Sequence, residues 1–358
     1  MQGLRIAATG AAVPAKSVTN DDFARVLDTS DAWIYERTGI HSRYFCEEET
    51  CVSLAIAAAR QALERSGLSP ADISCCIAAT ISGDYATPSV SCMVQAELGI
   101  SEDIPVMDVN AACTGFLYAL ETARGLLNAC AESDMCSEAT EDPHDDAKRC
   151  RGEQPRSTTT ESGTETGART AAKDSGGRRY YGLVIGCEQL SRILDMEDRS
   201  TCVLFGDGAG AAVVELTDAT PYASVLGARG GKEILALGAG SQRSVITMDG
   251  KAVFRFAVEA MPAAMKKVLD KAGMTLNEID QVICHQANSR IIDFAVRRMH
   301  ADPQKFYKDM DHFGNTSAAS IPLALNEAIE AGVIGRGQNV MLVGFGSGLT
   351  WGAAILRV

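Results

Sequence analysis

The chain has 358 residues, 46% of them hydrophobic, and a formal net charge of −13. That is enough apolar material for one large domain or two medium ones, and the acidic balance makes the chain as a whole a poor nucleic-acid binder. No apolar run is long enough to span a membrane.

The first residues, Met1 to Ala8, run straight into Gly/Pro turns and read as a strand, not as a signal peptide. Ile73 to Ile81 is a strand-like apolar run, and Val90 to Leu98 has helical apolar spacing. Ile104 to Val109 is a short strand, followed by an apolar helix from Cys113 to Leu127. Further strands are expected at Tyr181–Gly186, Cys202–Phe205 and Ala211–Glu215. A second series follows: helix Phe254–Ala272, strand Gln281–His285, helices Ser289–Met299 and Ser317–Ala331, and strands Asn339–Gly344 and Gly352–Val358. The chain therefore reads as two α/β halves, 1–216 and 217–358, each with a strand, a polar junction and a helix rich in small residues.

Residues 129–179 interrupt this pattern. They are polar, almost free of aliphatic side chains, and carry eleven acids and eight bases. Such a segment buries too little surface to offset its ordering entropy, so it is expected to be a disordered surface insert; a partner-binding insert is the alternative. His144 lies among Cys130, Cys136 and Cys150, but the spacing matches no common zinc pattern and no metal is expected. Twelve cysteines without a Cys-x-x-Cys pair, mostly in apolar segments, suit small buried hydrophobes in a reducing cytoplasm.

Three short segments carry chemistry. Cys113 follows a strand and an Asn110-Ala111-Ala112 bend and opens a helix. Free N–H groups and the helix dipole there favour a thiolate; the other reading is a buried structural cysteine. His285 ends a strand and precedes Gln286 and Asn288, as at a cleft lip, although a lone histidine is more often structural. Asn315 precedes a helix and, taken alone, reads as a cap or a turn residue after Gly314. Gly206-Asp207-Gly208-Ala209-Gly210 does not have dinucleotide-loop spacing and lies between strands, so it reads as a tight strand connection. Gly344 to Gly348 reads as a flexible turn that offers N–H donors.

Taken together and in this order, Cys113, His285 and Asn315 resemble the triad of the ketoacyl-acyl carrier protein synthase III family. The resemblance extends to Trp33–Ile40, Leu190-Ser191-Arg192, Asp198-Arg199, Phe205–Ala211 and Gly348–Gly352. It implies a thiolase-like α/β fold, two duplicated βαβαβαββ halves in a layered αβαβα core. It implies decarboxylative condensation of an acyl-CoA primer with malonyl-acyl carrier protein, with no cofactor, in a homodimer. Cys113 would be the nucleophile, His285 and Asn315 the hydrogen-bond donors to the enolate, and the main-chain N–H groups of Cys113 and Ser347 the oxyanion hole. Trp33, Arg37, Arg199 and Asn288 would meet CoA, Gln286 and Arg290 the carrier protein, and Thr87, Leu190 and Phe205 the primer. Residues 251–300 carry eight bases against five acids, a basic island suited to an acidic carrier protein. The alternatives are a condensing enzyme or acyltransferase of the same fold in a specialised pathway, a cysteine thioester hydrolase, and a non-catalytic interaction protein organised around the insert.

Overall fold

The computed structural model describes residues 2–139, 178–231, 235–237 and 245–358, without the side chains of 135–139 and 235–237. The first half runs β1 (Gly3–Ala12), a small flap of β2 (Lys16–Thr19), α1 (Asn20–Ala24), α2 (Asp31–Thr38) and β3 (Ser42–Phe45), then α3 (Cys51–Ser66), β4 (Ile73–Ala79), α4 (Val90–Leu98), β5 (Val106–Val109), α5 (Gly115–Ala139), β6 (Tyr181–Glu188) and β7 (Gly208–Thr217). The second half runs β8 (Ala223–Ala228), the hairpin strands β9 (Leu235–Leu237) and β10 (Ile246–Met248), α6 (Gly250–Ala272), β11 (Gln281–Cys284), α7 (Ser289–Met299), β12 (Phe306–Tyr307), α8 (Met310–Phe313), α9 (Ser320–Glu330), β13 (Asn339–Gly346) and β14 (Thr350–Arg357).

Helix starts follow local capping chemistry. Thr50 and Ser53 form a reciprocal capping box at α3, Asp249 caps α6, and Asn288 caps α7. Gly67, Gly99 and Gly273 close α3, α4 and α6 in the left-handed region. The central strands β6, β7, β13 and β14 are buried almost throughout. That is why they read as continuous apolar runs rather than alternating ones.

Apart from the two-stranded pairs β2-β3 and β9-β10, the described strands form one ten-stranded sheet, but β1 and β14 meet only at Arg5 and Arg357. On one side the order is β5-β4-β6-β7-β1; on the other it is β12-β11-β13-β14-β8. Numbered within its own half, each set has the order 3-2-4-5-1, with the last two pairings antiparallel and the others parallel. The same topology therefore occurs twice.

Three cores separate five layers. α5 and α9 lie between the two sheets, with Phe116, Leu120, Ile321 and Leu325 packed against Ile77, Val184, Ile283 and Leu342. α3 and α4 cover the outer face of the first sheet, and α6 and α7 that of the second. A fourth cluster joins the flap to Leu190, Val203 and Phe205 beside the site.

Four expectations change. Residues 129–139 are not part of a loop; they continue α5, the apolar side of which stays packed against the core through Cys130 and Ala131. The rest of the expected insert, residues 140–177 with His144 and Cys150, lies outside the described residues. Cys202–Phe205 is a turn and not a strand, with a single bridge from Phe205 to Asn315. Gly344–Gly346 is not a flexible turn but the end of β13, paired with Thr350–Gly352. Likewise Gly208–Gly210 opens β7 instead of forming a connection. Among the described residues no helix is long and apolar enough to cross a membrane.

Candidate active site

The two central helices start side by side, which small residues make possible. A Cβ on Gly115 would stand 2.8 Å from Ala79 Cβ, and one on Gly186 would stand 2.2 Å from Ala318 O. Both helix starts thus press directly on the C-terminal ends of β4 and β6. The turns that precede them carry Cys113 and Asn315.

Cys113 sits in a single helical turn, Ala112–Thr114, just ahead of α5. Ala112 has φ +46°, unusual for a residue with a side chain. The turn is held by Thr114 Oγ1, which donates to Ala111 O and bonds Thr350 Oγ1, both at 2.8 Å. Gly346 faces it so closely that an added Cβ would lie 2.9 Å from Cys113 N. The thiol is buried. The helix start is expected to make it more acidic, but burial outweighs this and pushes it up to about 12; the Ser317 hydroxyl pulls it back in part, and the Glu188 carboxylate adds to the rise.

His285 lies one residue beyond β11, and its N–H still bonds Val343 O at 2.8 Å. Its ring is buried edge-on against Phe345, with centroids 5.3 Å apart. Burial lowers its pKa to about 3, so the imidazole is neutral near pH 7. Nδ1 lies 2.6 Å from Ser320 Oγ, and that oxygen also receives the Gln286 N–H at 3.5 Å. Which of the two donates depends on the ring tautomer; where the Ser320 hydroxyl donates to Nδ1, the ring proton is on Nε2.

Asn315 is fixed by its backbone: its N–H donates to Leu204 O at 2.8 Å and its carbonyl accepts from Gly206 N at 3.0 Å. Oδ1 accepts from Ser317 N at 2.9 Å, so the amide turns its Nδ2 donors the other way. Behind this loop the buried Arg43 donates to Val18 O at 3.2 Å and Val203 O at 2.5 Å and sits over the Phe23 ring.

Cys113, His285 and Asn315 all line one cavity of about 820 Å³. Phe205 also lines it. Trp33 and Arg37 line it as well, and the Arg37 and Arg199 guanidiniums stand 4.5 and 5.2 Å from the Trp33 ring. Arg199 is held by the main-chain oxygen and carboxylate of Asp28. Asn288 lines the same wall, but its amide is occupied: Nδ2 donates to Arg37 O at 2.8 Å and Oδ1 caps α7. Arg290 is exposed on the rim beside Phe254. Lys251 and Arg255 line the same cavity.

Four expected site residues stand elsewhere. The Gln286 side chain is buried and fully engaged with Cys284 O, Tyr307 O and Asp309 N, so it cannot present itself to a docked protein. Thr87 is exposed on a loop away from the cavity. Leu190 is wholly buried in the cluster behind Phe205 and does not reach the cavity wall. Ser347, following Gly346, lies outside the cavity lining, and its carbonyl accepts from Thr350 Oγ1 at 2.9 Å.

Sequence reasoning missed four residues. Gly346 leaves room for Cys113, Ser320 orients His285, Ser317 adjoins the thiol, and Phe345 walls the imidazole. The polar Ser317 and Ser320 in an otherwise apolar helix start, together with the Gly344-Phe345-Gly346 alternation, were the available signals.

Comparisons with known proteins identify the family. The family profile described as 3-oxoacyl-[acyl-carrier-protein (ACP)] synthase III matches residues 166–230, and its C-terminal companion matches residues 269–358. The beta-ketoacyl-[acyl-carrier-protein] synthase III of Clostridium acetobutylicum is 38% identical over 370 aligned positions, covering 100% of this chain and 99% of that protein. The crystal structure of 3-oxoacyl-[acyl-carrier-protein] synthase III from Aquifex aeolicus superposes with TM-score 0.82 at 36% identity, covering 99% of this chain and all of that one. The priming beta-ketosynthase of the R1128 polyketide pathway superposes at 0.81 and 31%, covering 100% and 96%. With full-length identity at this level and the thiolase-like fold in place, the chain belongs to the beta-ketoacyl-[acyl-carrier-protein] synthase III family of condensing acyltransferases.

Proposed function

We propose that this protein condenses an acyl-CoA primer with malonyl-acyl carrier protein, giving 3-oxoacyl-acyl carrier protein, CoA and CO2, the step that initiates fatty acid synthesis. The observation that carries this reading is the convergence of a thiol, a neutral imidazole and an oriented carboxamide on one cavity that Trp33 and Arg37 also line.

Cys113 attacks the primer thioester and CoA leaves, so that the acyl group rests on sulfur. Malonyl-acyl carrier protein then enters. His285 Nε2–H and Asn315 Nδ2–H donate to its thioester oxygen and stabilise the enolate formed as CO2 departs. A neutral donor suits this step, because an imidazolium would protonate the enolate instead of sharing a proton with it. The carbanion attacks the acyl-Cys113 carbonyl, whose oxygen is received by the main-chain N–H of Cys113, and the ketone is released on the carrier.

CoA lies along Trp33, with Arg37 and Arg199 as its planar cationic neighbours. The carrier protein docks over the rim at Arg290, Lys251 and Arg255, within the basic island. Phe205 is the primer-pocket residue on the cavity wall. The protein works in the cytoplasm as a homodimer, each protomer formed of the halves 1–216 and 217–358.

Mass analysis of carrier-protein products after incubation with malonyl-acyl carrier protein and a panel of acyl-CoAs tests this. A 3-oxoacyl product is expected, and it names the primer. Free acid without any oxoacyl product would replace condensation by thioester hydrolysis. A second reading, priming a specialised pathway, has support in the similarity to the R1128 ketosynthase; the same panel separates it, because then the carrier protein of primary metabolism is refused.

A further inference from the structure

The buried carboxyl of Glu188, at the end of β6, has no part in the chemistry above. It is completely buried. Oε2 receives the Ser82 hydroxyl in a short hydrogen bond, the Ile81 N–H at 3.1 Å and the Thr80 hydroxyl at 3.2 Å. Oε1 completes no hydrogen bond of normal geometry, and neither does the buried Oγ of Ser317. The Ser317–Ala319 turn packs against both the Ala112–Thr114 turn that carries Cys113 and the strand β6 that ends in Glu188, and the Ser317 hydroxyl lowers the proton affinity of the Cys113 thiol and, with the Ala318 N–H, of the Glu188 carboxyl. Two unpaired polar atoms, buried together beside the nucleophile, are costly unless they serve a further purpose.

The nucleophile also lacks an evident proton acceptor. Its thiol must lose a proton before it attacks, and burial makes that hard. His285 is a poor acceptor, since burial holds its pKa near 3. The Glu188 carboxyl, raised by burial to about 7, is much the closer match. The other titratable groups near it are Cys187 on its own strand, Cys51 on α3 against Cys187, and Asp108 acting on the same thiol; Arg192, which donates to Ser82 O, is paired with Asp84.

Resting on the function proposed above, we infer that Ser317 and Glu188 form a relay that takes the proton from Cys113 during acylation, with Ser317 touching the sulfur and Glu188 acting through it as a positioning residue. The thiol proton passes to Ser317 Oγ as the Ser317 proton passes to Glu188 Oε1. The Cys113 thiolate then forms its S–C bond to the acyl carbon while the C–S bond to CoA breaks. The CoA thiolate takes up the proton that Glu188 returns, so no other reactant is needed.

The test is single-turnover acylation of Cys113 by acetyl-CoA, followed by intact mass from pH 5.5 to 9. Decarboxylation of malonyl-acyl carrier protein is measured in parallel, because it uses His285 and Asn315 and no thiol proton. In the wild type the acylation rate should rise through an inflection near pH 7. Glu188→Gln should remove that inflection and slow acylation about 100-fold, a loss at least about tenfold greater than its loss of decarboxylation. Ser317→Ala keeps the backbone N–H that holds Asn315 and should show the same split; it decides the matter if Glu188→Gln does not fold. Equal losses in both half-reactions, or a retained inflection in either variant, would overturn the relay and leave Glu188 a purely structural group. If acetyl-CoA does not acylate the wild type, the primer named by the acyl-CoA panel takes its place, and a wild type acylated by no acyl-CoA of that panel would instead overturn the proposed function.

Discussion

Gly346 offers the sharpest test of how the site is built. Its φ is unremarkable, so nothing in the backbone forbids alanine there. The obstacle is steric and local. An alanine Cβ would stand 2.9 Å from Cys113 N, 3.1 Å from Cys113 Cβ and 3.2 Å from Thr114 N. Two of these are backbone atoms of a turn already held in a strained conformation by Ala112, and none is the end of a flexible side chain. Ordinary contact begins near 3.4 Å, so the turn or β13 must yield by about 0.5 Å, and overpacking of this kind costs about 1–3 kcal/mol. A displacement of an ångström at a reacting atom can cost about 100-fold, so half of that should slow Cys113 acylation about tenfold. The assay pairs denaturant unfolding with single-turnover acylation, and Gly125→Ala is the control. Gly125 lies inside α5 with nothing within 4 Å of its added Cβ, so the same chemical change there should stabilise by about 0.5–1 kcal/mol. If Gly346→Ala acylates within about twofold of the wild type, the claim that glycine is needed to seat Cys113 is wrong.

Three further outcomes are expected. Glu188 gives a linkage test that is independent of activity. Its folded pKa of about 7 lies above the ordinary 4.5, so the folded state binds the extra proton between these values and stability falls as pH rises from 4.5 to 7. Relative to Glu188→Gln, the wild type should lose about 3 kcal/mol across that window, while His285 is common to both proteins and cancels; parallel curves would mean that folding does not shift the carboxyl's pKa. Ser320→Ala should lower malonyl decarboxylation about 10- to 100-fold by freeing the imidazole to adopt the wrong tautomer, with Cys113 alkylation by iodoacetamide much less affected; equal loss in both would point to misfolding of the α9 start. Trp33→Ala should raise KM for acyl-CoA by about 3- to 30-fold, the range expected for a stacked cationic contact, with kcat retained at saturation; a fall in kcat at unchanged KM would remove Trp33 from the CoA path.

The meeting of Cys113, His285 and Asn315 at one cavity was legible because each occupies a junction whose chemistry is local: a cysteine at a helix start, a histidine just past a strand, an asparagine after a glycine turn. The fold was legible because buried strands and amphipathic helices alternate with fixed periods, and the same order of elements recurs in both halves. What local pattern could not give was depth and direction. The Cys113 segment says that a helix dipole is near; only the packed structure shows burial overriding it and raising the thiol. Gln286 looks like a polar lip residue next to His285, but in the fold it turns inward to satisfy Cys284 O and Tyr307 O. Thr87 and Leu190 stand in suggestive sequence, and only the tertiary structure separates an exposed loop from a sealed core. Cys202–Phe205 has the composition of a strand, yet it finds no neighbour to pair with beyond the Phe205–Asn315 bridge, and so it becomes a turn. Segment type and chemical repertoire are set by neighbours along the chain. Protonation, accessibility and the meeting of Cys113 with Ser317 and Glu188 are set by residues 75 to more than 200 positions away, which touch only once both sheets have closed on the two central helices.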